Sequence, residues 1–337
     1  MSALVLEAPR LCAPSSGWLI SKREDLTWFI GSSLIGYLAF FALVGGIPVL
    51  PVLIAWSLLI DGPHVLATTS RTYFDRQARQ SLSWRLWLVI PFSLVGPAMW
   101  AAGLGKVFFI LFITWAQYHI AKQHMGFVML YRARARERTD MLWDKRFVVI
   151  SLMLPWTLYL YGMLKLPALQ LTAILTFASY VVLAILYAKR QVNRIKAGEP
   201  YSLPKLLLLL VVIPIPWLAF WYASGRPEAF AIAAIATNIG HSFQYQRLTW
   251  FHNRNRYAES SRSTIGFAAI VNSRVTIYLL TAIVLNLLLA AIPHAALAGN
   301  ETWLAMLTGV NMAHYYLDSQ IWRVRSDKEL ARALLLN

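Results

Sequence analysis

An all-α polytopic membrane helix bundle, with about ten transmembrane helices and both termini in the cytoplasm, is the fold class this sequence predicts. Three observations carry that reading. The 337 residues are 58% hydrophobic and 14% charged, whereas soluble domains run near 25% charged. Apolar stretches of about twenty residues, long enough to cross a bilayer core, recur along the chain. Basic residues collect in every second loop between them. Such a composition, with one cysteine, excludes disorder, a disulfide scaffold and an ordinary soluble enzyme.

The apolar stretches run Thr27–Val44, Ile47–Ser70, Trp84–Leu104, Val107–Leu130, Phe147–Leu164, Leu169–Ala188, Leu206–Ala223, Ala229–Thr249, Val275–Ile292 and Trp303–Trp322. Arg10, Lys22 and Arg23 precede the first. Arg71, Arg76, Arg79 and Arg85 follow the second, and Arg132 to Arg146 follow the fourth. Lys189 to Lys205 follow the sixth, Arg247 to Arg274 the eighth, and Arg323 to Arg332 the tenth. The opposite loops hold Lys106, Lys165 and Arg226. The positive-inside rule therefore places residues 1–26 in the cytoplasm, a ten-helix domain over 27–322 in the membrane, and a basic tail over 323–337 in the cytoplasm. The first twenty residues lack the uninterrupted apolar core of a signal peptide. Cys12 reads as a free cytoplasmic thiol.

Lys and Arg number 31 against 15 Asp and Glu, a net charge of +16. That excess sits beside the spans, where it sets orientation and meets anionic headgroups, so membrane lipids rather than nucleic acid are the expected partners. No loop is long enough to bury a second core. The chemistry therefore falls to the bundle, an integral multi-pass protein of the inner or plasma membrane.

Charged groups within spans are costly and mark function. Only Asp61 and Asp318 are acids inside the spans, and each lies one turn from a histidine, His64 and His314. His119, His124 and His241 are also in spans. Helical spacing puts Asp61, His64, Thr68, Arg71 and Asp75 on one face of the second helix. Asn238, His241, Tyr245 and His252 share a face of the eighth; Asn311, His314, Asp318, Trp322 and Arg325 share one of the tenth. On the fourth helix His119 and His124 lie about 140° apart, so only one faces the bundle centre. Depth favours His124. It precedes Arg132 by about two turns, as His64, His241 and His314 precede their own arginines, whereas His119 lies deeper.

Imidazoles from several helices at one depth, with carboxylates beside them, point to a metal. The expected ligands are His64, His124, His241 and His314, then Asp61, Asp318 and His119. Asn238 and Asn311 would orient His241 and His314. Tyr245, Tyr315 and Gln244 are the candidate hydrogen-bond donors to a bound oxygen. Arg71, Lys122 and Arg325 read as snorkelling cations or substrate-anion clamps, and His252 and His294 as solvated loop residues.

The chain has no Walker loop, no Gly-x-Gly-x-x-Gly, no Cys-x-x-Cys and no Gly-x-Ser-x-Gly. ATP-driven transport and Mg-diphosphate chemistry are not expected. Through His64, His119, His124, His241 and His314, the arrangement resembles the histidine-rich integral-membrane non-haem iron enzymes, which include the fatty-acyl desaturases and hydroxylases and the Brp/Blh type of carotenoid oxygenase. It has no adjacent histidines, unlike the His-x-x-His-His boxes of desaturases, and no family residue roles are carried over. The resemblance implies an iron-dependent oxidase or oxygenase acting on an acyl lipid, a carotenoid or another isoprenoid. No ferredoxin or flavin domain is fused, so an oxygenase that needs electrons would draw them from a partner protein. The alternatives are a zinc-dependent intramembrane lipid hydrolase and a proton- or cation-coupled transporter using the same Asp/His cluster.

Overall fold

The computed structural model describes residues 17–164, 167–257, 265–296, 302–324 and 326–336. Cys12, Arg10, Lys165, Arg262, Arg325 and the side chain of His294 lie outside the described residues. Within them the chain is all-helical, with no strand. The principal helices are α1 (Lys22–Val44), α2 (Val49–Arg71) and α3 (Arg76–Ala101), then α4 (Gly105–Arg134). α5 (Met141–Leu164), α6 (Pro167–Lys196), α7 (Leu203–Ala223) and α8 (Phe230–Tyr257) follow. The last are α9 (Val275–Ala296), α10 (Thr302–Ile321) and the short α11 (Lys328–Ala333).

Six of these, α1, α2, α3, α5, α6 and α7, are long and apolar enough to cross a membrane among the described residues, which makes the chain a multi-pass membrane protein. The long helices α4, α8 and α10 are not among the six because their sequences carry the polar residues of the site. Each turns a histidine inward: His119, His241 and His314 are buried.

Local sequence sets the helix starts. The Ser21 hydroxyl accepts from the Glu24 amide at 3.2 Å, so α1 begins before the apolar run at Thr27. Asp75 does not continue the polar face of α2. The helix ends at Arg71, and the Asp75 carboxylate accepts from the Gln77 and Ala78 amides at 2.8 and 3.0 Å, opening α3. Ser202 likewise caps α7, accepting from the Lys205 amide.

Small residues bring the inner helices together, as lipid-exposed bundles require. A Cβ on Gly240 of α8 would stand 2.9 Å from the Ser33 Cα of α1, and one on Gly36 would stand 2.5 Å from the Ala236 carbonyl oxygen. Gly96 and Gly309 do the same for α3 and α10, against the backbones of Ala305 and Phe92. α8 thus packs on α1, α2, α4 and α7, while α10 packs on α3, α2 and α4.

The basic end of the bundle is held by an ion network that the loop charges did not announce. Glu137, Asp144 and Lys205 are buried. Lys205 Nζ donates to Glu137 at 2.7 Å and to Asp144 at 3.1 Å. Arg194 reaches Glu137 at 2.7 Å, Arg132 pairs with both acids, and the Tyr187 hydroxyl donates to Asp144 at 2.6 Å. Cations expected to meet lipid headgroups are therefore spent inside, tying α4, α5, α6 and α7. Arg134 binds the Leu19 and Leu334 carbonyls at 3.1 and 2.8 Å. The segment read as a basic tail is packed: Leu330 and Leu334 are buried.

Removing one partner of such a network leaves an uncompensated buried charge. Lys205→Met is expected to destabilise the protein by about 3–5 kcal/mol, seen as a lower midpoint in detergent thermal unfolding. Arg190→Ala, which removes an exposed guanidinium and leaves Asp140 with Arg194 at 3.7 Å, is expected to leave that midpoint almost unchanged.

Candidate metal centre

α2 reaches the centre through a deliberate irregularity. Pro63 cannot donate a backbone hydrogen bond, and the preceding turn, Ser57–Asp61, widens to π geometry. Asn286 of α9 fills the gap, its amide donating to the Ser57 and Leu58 carbonyls at 3.2 and 3.0 Å. It can do so because Gly62 has no side chain where Asn286 lies. The widened turn delivers Asp61 and His64 to the interior.

His64 then meets His241 of α8 and His314 of α10, each at 4.7 Å between ring centroids. His119 of α4 lies 5.2 Å from His241 and 5.0 Å from His314. Two groups result, His64 with His119 and His241, and His119 with His314 and Asp318. Within each, the potential ligand atoms all lie within 4.8 Å of one another. All five residues are buried. Ligands on opposite sides of one ion, with bonds of about 2.1 Å, stand about 4.2 Å apart, so small side-chain shifts suffice to seat an ion.

Hydrogen-bond polarity fixes which atoms are free. The Asp318 Oδ1 accepts from Tyr245 at 2.6 Å and from Thr68 at 3.0 Å. Thr68 has one hydroxyl hydrogen, so toward His314 Nδ1, 2.7 Å away, its oxygen accepts. His314 therefore carries its hydrogen on Nδ1 and turns a bare lone pair outward on Nε2. That atom has no partner among the described residues, and neither do His64 Nδ1 and Nε2, His119 Nε2 or His241 Nδ1. Unpaired buried nitrogen atoms are costly. Converging from four helices beside a carboxylate, they are a donor set that could hold a metal ion.

The sequence-derived candidates fall in three positions. His64, His119, His241, His314 and Asp318 are brought together. Asp61 stands beside them, 3.8 Å from His64 Nδ1, and accepts from Ser242 at 3.3 Å. His124 stands apart. Its Nδ1 is 2.9 Å from the Ile120 carbonyl of its own helix, and its ring is 6.2 Å from His241. The structure places His119, not His124, among the other histidines. Spacing to the next arginine, which favoured His124, does not decide which histidine joins the cluster.

The polar neighbours also differ from expectation. Gln244 donates to the Phe29 carbonyl at 2.6 Å and to Ser33 at 3.1 Å, so its amide ties α8 to α1 instead of facing a bound oxygen. The Tyr245 hydroxyl is committed to Asp318. Tyr315 lays its ring against His119, with centroids 4.5 Å apart. Asn238 turns back to the Ala234 carbonyl of its own helix, and His241 Nδ1 has no partner among the described residues. Thr68 takes the role assigned to Asn311. Its place on the His64 face of α2 was the available signal. His252 is buried, not solvated. Lys122 is exposed.

Compared with known families, curated proteins and solved structures, the chain has no match. Its chemistry is therefore read from its own residues.

His119→Ala is expected to abolish metal retention, while His124→Ala retains it, measured as metal per chain after detergent purification. Thr68→Val, which frees the His314 tautomer, is expected to weaken metal affinity about 10–100-fold in a chelator competition.

Proposed function

We propose that the chain is a membrane-embedded, metal-dependent oxidase or oxygenase acting on a lipophilic substrate, with iron as the metal. The observation that carries this is a pair of donor groups that share His119, one of three imidazoles and one of two imidazoles with a carboxylate, converging from four helices, with their free nitrogen atoms buried and unpaired. Catalytic zinc takes three protein ligands in a near-tetrahedral site. The two groups together offer five nitrogen and oxygen donors, and the second is the two-imidazole, one-carboxylate set of non-haem iron(II), which when bound supplies dioxygen chemistry. His64, His119, His241, His314 and Asp318 would hold it. Thr68 and Tyr245 fix the carboxylate and the His314 tautomer, and burial excludes water.

The surroundings favour an apolar substrate. From Tyr315, beside His119, an aromatic wall continues through Phe112 at 6.3 Å and Trp115 at 6.1 Å to Phe92. In this reading all ten apolar stretches cross the membrane, both termini are cytoplasmic, and the cluster lies toward the basic, cytoplasmic end. An electron-donor protein would dock there if the reaction consumes reducing equivalents.

The test is incorporation of ¹⁸O. Iron-loaded protein incubated under ¹⁸O₂ with a total membrane lipid extract is expected to yield ¹⁸O-labelled or desaturated products by mass spectrometry, absent from a His241→Ala/His314→Ala variant. Stoichiometric zinc with turnover that does not need dioxygen would replace this reading with a lipid hydrolase. Absence of any retained metal would replace it with a transporter. For the topology, Cys12 is expected to react with a membrane-impermeant maleimide in inside-out vesicles and not in right-side-out ones.

A further inference from the structure

A second group of buried polar atoms lies toward the basic end, outside the cluster. Arg71 is seven residues beyond His64 on α2, so it shares His64's face about 10 Å along the axis. Its guanidinium is buried and lies over the Trp322 ring, 3.9 Å from the centroid. One nitrogen, Nη2, donates to the Ile321 carbonyl at 3.1 Å. Nε and Nη1 have no partner among the described residues, and neither does Trp322 Nε1. The nearby acids are engaged elsewhere: Asp318 with Tyr245 and Thr68, Asp75 with Tyr257 at 2.9 Å and Arg256 at 3.3 Å.

His252 completes the group, its ring 5.8 Å from that of Trp322. A chain of fixed polarity sets its tautomer. The Asn272 amide donates to the Ala268 carbonyl, so its oxygen is the acceptor for Asn253 Nδ2 at 2.8 Å. The Asn253 oxygen then accepts from His252 Nδ1 at 2.9 Å. Nε2 of His252 is left as a buried lone pair without a partner. Around Arg71 and Trp322 there are thus three N–H-bearing nitrogen atoms without partners and one basic nitrogen. Water can pair with single N–H groups, but it does not compensate a buried guanidinium charge. An oxyanion does both. Its oxygen atoms suit the planar guanidinium and the indole N–H, and a water hydrogen-bonded to the carboxylate can give its other hydrogen to His252 Nε2.

We propose that Arg71, Trp322 and His252 form a binding site for an oxyanion, and that this site holds the carboxylate head of the lipophilic substrate while its chain reaches the His/Asp cluster. The substrate assignment rests on the oxidase reading; the anion site does not. A free phosphate offers the same chemistry from another source.

The experiment uses full-length protein in phosphatidylcholine nanodiscs, metal-free and metal-loaded. Binding of [1-¹³C]oleate is followed by its carboxyl resonance, with oleyl alcohol as the uncharged control and radiolabelled inorganic phosphate in equilibrium dialysis. Saturable oleate binding is expected with and without metal, weakened about 10–100-fold by Arg71→Gln. Trp322→Phe, which keeps the ring stack and removes one N–H, is expected to weaken it about 5-fold with unchanged thermal unfolding. Metal content is expected to stay that of the wild type in both variants. Arg71-dependent phosphate binding without saturable oleate binding would retain the oxyanion site and overturn the substrate-head assignment. Oleate and phosphate binding both indifferent to Arg71→Gln, or oleyl alcohol bound as tightly as oleate, would overturn the proposal. Because the metal-free protein is measured, failure of the metal reading leaves this result intact.

Discussion

One constraint governs the bundle: five buried imidazole nitrogen atoms of His64, His119, His241 and His314 are held in the interior with no hydrogen-bond partner among the described residues. Each such atom opposes folding. They persist because four helices are fixed too firmly to turn them away. The Thr68, Tyr245 and Asp318 hydrogen bonds lock the tenth helix to the second and the eighth, and in doing so decide which nitrogen of His314 faces inward. A rigid scaffold with unsatisfied donor atoms is a site prepared for a ligand.

The scaffold is built from two unlike materials. Through the middle of the bundle, glycines let backbones touch, at Gly36 and Gly240 and at Gly96 and Gly309. At the basic end, Lys205, Arg132 and Arg194 surround Glu137 and Asp144. The first gives close packing where no hydrophobic driving force separates helix from lipid. The second gives directional contacts that fix how four helices meet. Between them the π turn before Pro63, with Asn286 bound to its Ser57 and Leu58 carbonyls, supplies the local adjustment that brings His64 to the centre.

The helical class and the identity of the polar faces were legible in the sequence, because hydropathy and helical period act through local spacing. His64, His241, His314 and Asp318 were found together because each lies on the polar face of its own helix. His119 was displaced in favour of His124, since how one helix sits against another is a tertiary quantity with no local signature. Gln244 and Asn238 failed as neighbours of the site for a related reason. Amides bond whichever backbone oxygen comes nearest, and that is decided by packing. The ion network was hidden because Arg132, Arg194 and Lys205 obey the topology rule equally well whether they face lipid or Glu137. Arg71, read as a snorkelling cation or a substrate-anion clamp, is buried against Trp322.

X-ray absorption at the metal edge of the purified protein tests the centre most directly. The account predicts a first shell of nitrogen and oxygen only, with the outer-shell scattering of four imidazoles, falling to three in His119→Ala reconstituted with excess metal and staying at four in His124→Ala. A sulfur-containing shell, two or fewer imidazoles, or loss of an imidazole on removing His124 would contradict it.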